Sequence, residues 1–296
     1  MSTVKIVTDS TCDLPAELIR QYDIRVVPLR IAFGDEEYED GITISSQEFY
    51  SKLEERTAFP TTFPPNENFF VSVYESCLAE SDTMLSMHIS KQLSQTLSVA
   101  REAIKRNTMH FYSLREKVSG DMRYNISILD TMSASLGLGL LVVYAAKLAQ
   151  QGKSLQEIID RVQQLIPTSR VLFSVESLEY LRKGGRIGTA SAFIGNLLNL
   201  KPILGIENGV VETKGKVLGW KKFYSTIEEI MKRDIDGRKI LLGIADTPGS
   251  ENDIKTEISG RLQNIFHCEE VVLSRVGATI GTHAGPGSIE IAYVIL

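Results

Sequence analysis

Four short segments carry side chains whose types and spacing could do chemistry. Thr61 and Thr62 lie between Pro60 and the Pro64-Pro65 pair, and the fixed φ of proline stiffens that loop and holds both hydroxyls in place. Taken alone, the segment reads first as a cap for the helix that follows. Ser90, Ser94, Thr96 and Ser98 come directly after a strand-like run, Thr83 to Ile89. Ser94 falls near the start of the next helix, where free N–H groups and the helix dipole favour an anion. A carboxylate or phosphate suits that position about as well as an ordinary N-cap does. Gly281-Thr282-His283-Ala284-Gly285-Pro286-Gly287 sets one of only four histidines among three glycines and a proline. That composition predicts a constrained loop in which backbone can approach a ligand, with an imidazole able to bond a carboxylate or to act as acid or base. Leu181-Arg182-Lys183-Gly184-Gly185-Arg186-Ile187 places three cations around two glycines. It lacks the spacing of a nucleotide phosphate loop, so it reads as a solvated turn or as a docking point for a phosphate or an acidic partner.

Other chemistries find no footing. There is no His-Glu-x-x-His, no Gly-x-Ser-x-Gly, and no Gly-x-Gly-x-x-Gly after the first strand,. A triad of Ser94, His283 and an acid such as Asp9 can be drawn, but nothing in the spacing supports it. The three cysteines, Cys12, Cys77 and Cys268, form no Cys-x-x-Cys pair, which argues against a disulfide framework or a zinc site. No metal and no cofactor are expected. A net charge of −5 excludes nucleic acid as the main partner, because phosphate binding needs a basic surface. The longest apolar run, Leu136 to Ala146, falls well short of the roughly 20 residues that span a bilayer. We expect a cytoplasmic protein without stable membrane insertion.

The elements that must position these segments alternate. Val4–Val7, Arg25–Phe33, Thr83–Ile89 and Ile126–Leu129 read as strands, separated by helical patterns up to Gln150, with Asp13 as a helix cap. The polar stretch from Asn107 to Asn125 reads as a loop or a short extra element. This predicts an α/β fold whose N-terminal part is an open, mostly parallel sheet with helices on both faces. The second half differs. Ile203–Glu207 and Val210–Lys214 flank Asn208-Gly209, a strong hairpin signal, and Ala190–Leu200 reads as an apolar helix. A hairpin beside crossover units predicts a C-terminal α/β domain with a mixed sheet. With the change placed at Pro167, the expected domains are 1–167 and 168–296.

Taken together the segments resemble the DegV family of bacterial fatty-acid-binding proteins. The similarity runs nearly end to end, from Val7-Thr8-Asp9-Ser10 and Tyr38-x-Asp40-Gly41 through Thr61-Thr62-Phe63-Pro64, Leu93-Ser94-Gln95-Thr96 and Asp130-Thr131. Its most specific pieces are Leu178 to Ile187, Leu197-Leu198-Asn199-Leu200-Lys201-Pro202-Ile203, and Gly281 to Gly287. The resemblance implies two α/β domains with a long-chain fatty acid between them. It assigns the carboxylate to Thr61, Thr62, Ser94 and His283, hydroxyls and an imidazole, without an arginine. It further implies a binding subunit that presents the acid to a separate ATP-dependent kinase for phospholipid synthesis, not a phosphoryl-transfer enzyme. Arg182, Lys183 and Arg186 are then candidates for docking that partner, and Phe193, Ile194, Leu197 and Leu198 for the wall of the acyl tunnel. Gln95 stands where the family usually has glycine, and Phe63 departs from its usual loop. The competing readings are an acyl hydrolase or acyltransferase using Ser94 and His283, and a lipid-sensing regulatory module.

Overall fold

The computed structural model describes residues 4–55, 58–193, 200–249 and 254–296. The chain opens with β1 (Lys5–Asp9), α1 (Ala16–Gln21) and β2 (Arg25–Val27), then β3 (Arg30–Phe33), β4 (Glu36–Glu39), α2 (Ser46–Glu55) and β5 (Thr61–Phe63). It continues through α3 (Glu67–Glu80), β6 (Thr83–His88), α4 (Thr96–Ser119), β7 (Asn125–Asp130), α5 (Ser135–Gln150) and α6 (Leu155–Leu165). Strands β2, β1, β6 and β7 form a wholly parallel sheet in that order. Successive side chains of a strand point to opposite faces. Ile6 of β1 therefore joins the core around α5 and α6, while Val7 joins Phe70 and Tyr74 of α3 and Phe111 of α4. Helices cover both faces, as the alternation predicts.

After Pro167 the chain enters a second sheet. Its elements are β8 (Ser169–Ser174), α7 (Glu179–Lys183), β9 (Leu200–Glu207), β10 (Val210–Leu218), α8 (Gly219–Ile235), β11 (Ile240–Asp246), α9 (Ile254–Ile265), β12 (Cys268–Arg275), α10 (Ala278–Ala284) and β13 (Ile289–Ile295). The order β10-β9-β8-β13-β11-β12 is mixed, with only β11 and β12 parallel among its neighbours. One face packs on Phe223, Ile227 and Met231 of α8 and Leu262 of α9. The other presents Val171, Leu241, Ala292 and Val294 to α5. Helix α5 is buried on nearly every side, the state expected of a helix that is apolar all round. It is the layer shared by the two sheets. Gly139 lets it close up, since an added Cβ would stand 2.5 Å from the Cys12 carbonyl oxygen.

Several elements depart from the sequence expectation. Pro28 interrupts Arg25–Phe33, so this run gives two strands in different sheets; β3 pairs instead with β4 and β5 in a small antiparallel sheet. The polar stretch after Asn107 is helix up to Ser119, because Phe111 and Arg115 supply a buried face at helical spacing. Residues 188–193 form tight 3₁₀ turns and β9 starts at Leu200; 194–199 lie outside the described residues. Asp13 does not cap α1, whose cap position is Pro15. Its carboxyl accepts instead from Gly277 N at 2.8 Å and Ser135 Oγ at 2.6 Å, and its carbonyl accepts from Ser274 Oγ. One residue, just past the turn that follows β1, thus ties α5, β12 and the start of α10. Among the described residues, no helix is long and apolar enough to cross a membrane.

Removing the Asp13 carboxyl strands two buried donors. Asp13→Ala should cost about 2–4 kcal/mol in chemical denaturation and Asp13→Asn distinctly less; equal, small losses in both would show that this tie does not hold the sheets.

Candidate functional site

A cavity of about 310 Å³ opens where the small sheet, α10 and the two large sheets meet. Most of its wall is apolar, with Leu29, Ile89, Val171, Phe173, Leu181 and Ile206 contributing from both sheets and the turns between them. Mostly apolar pockets with a few placed polar groups are typical small-molecule sites. Here the polar groups fall into two sets.

The first set is Thr62, Ser94, Arg186 and His283. Thr62 lies on β5 opposite Ile31. His283 sits in the last turn of α10, not in a loop, because a seven-residue helix forms ahead of Gly285. Two buried carboxyls from the first half of the chain hold the start of that helix: Asp13 accepts from Gly277 N, and Asp40 from Thr279 N at 3.2 Å. Thr62 Oγ1 and His283 Nε2 are 2.9 Å apart. His283 Nδ1 is buried without a partner, so the proton belongs on Nε2, where it has an acceptor. The ring then donates to Thr62, and the Thr62 hydroxyl proton is free for the cavity. Burial, with the Arg186 charge beside it, pushes the His283 imidazole down to about 3. It is therefore neutral across the physiological range.

Arg186 is placed by a helix-ending turn. Gly185 has φ +70°, and Gly185 N and Arg186 N bond back to Arg182 O and Leu181 O, the pairing that reverses a chain after a helix. The guanidinium is thereby turned inward. It donates to Leu93 O at 3.0 and 3.1 Å and to Gly184 O at 2.6 Å. No carboxylate among the described residues pairs with it, and burial alone lowers its pKa. Ser94 Oγ lies 2.8 Å from Thr96 Oγ1 and accepts from Thr96 N at the start of α4. The first turn of α4 holds no acidic residue, so its positive end is not neutralised from within. Gln95 and Phe63 also border the cavity.

The second set is Ser135 and Glu290, with Thr279 and Ser288 nearby on the wall. Glu290 accepts from Leu136 N at 3.0 Å, in the first turn of α5. The two helix starts at the cavity therefore differ: that of α4 is open to an anion, and that of α5 is already served by an acid.

The structure brings Thr62, Ser94 and His283 to one wall. Thr61 is exposed and is not among the lining residues. Arg182, Lys183 and Arg186 do not form one surface. Arg182 is exposed, and Lys183 pairs with Glu179 at 2.8 Å and lies over the Phe59 ring, while Arg186 faces the cavity. Phe193 packs beside Ala190 and under Lys216, away from the cavity lining; Ile194, Leu197 and Leu198 lie outside the described residues. Among the lining residues with chemistry that sequence reasoning misses are Arg186 and Glu290. Arg186 was grouped with its basic neighbours, although the Gly-Gly before it signalled a reversal. Glu290 is the lone acid in an otherwise apolar strand, and that contrast was the available signal. A Ser–His–Asp chain does exist, but elsewhere. Ser86 Oγ, His88 and Asp9 link at 2.7 and 2.9 Å, with Tyr74 behind Ser86. All are fully buried and none lines the cavity, so this network braces Ile89, whose N–H also bonds Asp9. No hydrogen bond joins Ser94 to His283 among the described residues.

With this geometry in hand, comparison with known proteins is decisive. Residues 3–296 match the family described as "Uncharacterised protein, DegV family". The chain belongs to the DegV family. A DegV domain-containing protein of Deinococcus radiodurans is 32% identical over 293 residues, covering 98% of each chain. A solved structure from Thermus thermophilus, described as fatty acid binding of a DegV family protein, superposes with a TM-score of 0.86 at 35% identity over the whole of both chains. That of Bacillus subtilis DegV, described as a fatty acid binding protein, gives 0.83 at 30% identity, again over both whole chains. The two-part fold, with its parallel N-terminal and mixed C-terminal sheets, is that of this DegV family.

The state of His283 can be read directly. Side-chain NMR should give a protonation midpoint near 3. An added Cβ at Gly184 would overlap Nδ1 of the ring, so Gly184→Ala should displace the imidazole and raise the midpoint. A native midpoint at the ordinary value near 6.5 would contradict the buried, neutral ring.

Proposed function

We propose that this protein holds a long-chain fatty acid in the cavity, its carboxylate against Thr62, Ser94 and Arg186. The observation that carries this is Arg186: a fixed cation with no carboxylate partner among the described residues, on the wall of a mostly apolar cavity of about 310 Å³ that the Thr62 and Ser94 hydroxyls also line. The half-buried guanidinium donates to carbonyl oxygens, which carry no net charge, and an anionic head-group adds the charge-assisted bonds that compensate it. Burying each methylene contributes roughly 0.8 kcal/mol, so the tail supplies affinity against the costs of binding. His283 orients Thr62 and, being neutral, adds no second charge. The fatty acid binding of the Thermus and Bacillus relatives supports the same ligand. Units 1–167 and 168–296 are then two domains that close on the acid from either side.

On the same reading the protein binds and presents rather than catalyses: among the described residues the Ser94 hydroxyl bonds Thr96 and makes no hydrogen bond to His283. The partner is a cytoplasmic ATP-dependent kinase that phosphorylates the presented carboxylate. The exposed Arg182 and Lys183, next to the turn that carries Arg186, are the docking cations.

Mass spectrometry of lipid extracted from the purified protein should find a stoichiometric long-chain acid. Protein that carries none and refuses added acid is not a fatty-acid carrier. Arg186→Ala should weaken binding about 10- to 100-fold, as expected for a lost charge-assisted bond of about 1.5–3 kcal/mol. Unchanged affinity would remove Arg186 from the head-group site. Reversing the charges of Arg182 and Lys183 together should lower kinase-coupled product while sparing acid binding; unchanged coupling would leave them as solvated surface.

A further inference from the structure

Glu290 is unusual for where it stands. It lies in β13, the strand between β8 and β11 near the middle of the mixed sheet, directly across from Phe173. Its flanking residues Ile289 and Ile291 are apolar and buried, and Glu290 itself is 6% exposed. It nevertheless borders the cavity. A buried acid ordinarily has a cation or a full set of donors. Among the described residues Glu290 has neither. It accepts from Leu136 N at 3.0 Å and lies within hydrogen-bond reach of the Ser135 hydroxyl, which is shared with Asp13 at 2.6 Å. A carboxyl group can make about four hydrogen bonds, so capacity remains on the side that faces the cavity.

Ser135 is itself in an uncommon backbone state, with φ +50°, although it is buried and not glycine. Such strain persists where the surroundings fix a residue in place. Asp13 fixes this one. The result is a hydroxyl and a carboxyl side by side on the wall, in a set not hydrogen-bonded to Thr62, Ser94, Arg186 and His283. An acidic group here repels a carboxylate, so this set is unsuited to the head-group. It also offers nothing to a plain hydrocarbon tail.

We propose that Ser135 and Glu290 form a subsite for a hydroxyl group on the acyl chain, so that the favoured ligand class is a hydroxylated long-chain fatty acid. This rests on the fatty-acid reading above and specifies its substrate. A chain hydroxyl can both donate and accept. It can donate to a carboxylate oxygen of Glu290 and accept from the carboxylic acid form. Burial pushes the Glu290 carboxyl up to about 7, so both forms are present near neutral pH. A site built to bond a hydroxyl discriminates strongly against the analogue lacking it, because its own buried groups are then left without a partner.

The test is a competition assay against octadecanoic acid, with a panel of octadecanoic acids hydroxylated at successive positions from mid-chain to the tail. The wild-type protein should bind at least one hydroxylated acid about tenfold or more tightly than octadecanoic acid. Glu290→Leu should bring that ratio close to one, and Glu290→Gln, which keeps an acceptor for Leu136 N and a donor, should retain most of it. Wild-type protein that binds octadecanoic acid as tightly as every hydroxylated isomer overturns the subsite and leaves the fatty-acid reading standing. A preference that survives in Glu290→Leu overturns it too, and the wild-type measurement decides alone if that variant does not fold. If no acid of either kind binds, the fatty-acid reading fails and the subsite goes with it.

Discussion

Arg186 holds a guanidinium at the wall of a mostly apolar cavity with, among the described residues, only carbonyl oxygens for partners. That one placement governs the electrostatics of the site. Arginine does not shed its proton in proteins, so the charge persists at the cavity wall and attracts an anion. The same charge, added to burial, keeps His283 neutral, which frees the imidazole to act through Thr62. The start of α4 adds the partial positive charge of its helix dipole, with no acidic residue in its first turn to offset it,. An anion is therefore favoured at one set of cavity groups. It is disfavoured at the other, where Glu290 already serves the start of α5.

The fold makes such a cavity possible by giving two sheets one common layer. Helix α5 is too apolar to face water on any side, so the parallel sheet and the mixed sheet both pack on it. The cavity lies at the start of that helix, where Ser135 of α5, Thr279 and His283 of α10 and Thr62 of the small antiparallel sheet all line it. The polar contacts at that junction are few and buried. Asp13, Asp40 and Glu290 cap or brace helix starts from the opposite unit. Burial raises the pKa of each of these acids. At the junction the stability of the fold and the geometry of the site rest on the same carboxyls.

Much of this was legible in the sequence because it is periodic. The parallel sheet, the Asn208-Gly209 hairpin and the mixed second sheet all follow from local patterns, and the DegV resemblance rested on segments that do line or frame the cavity. What escaped was set by tertiary contact. Pro28 was not read as a boundary between two sheets. The position of Asp13 suggests a local cap, whereas its partners are Ser135 and Gly277, far along the chain. Thr61 and Thr62 are indistinguishable by composition, and only the register of β5 separates them. Arg186 differs from Arg182 and Lys183 only in standing after the glycine that reverses the chain. Glu290 showed no motif at all; its meaning lies in what surrounds it.

The most direct test is a crystal structure of the protein with a saturated long-chain fatty acid bound. The carboxylate should lie within hydrogen-bond distance of Arg186, Thr62 and Ser94, with the tail running along Ile89, Leu181 and Phe173. A carboxylate found beside Ser135 and Glu290, or an acid bound outside this cavity, would contradict the central role given to the Arg186 charge.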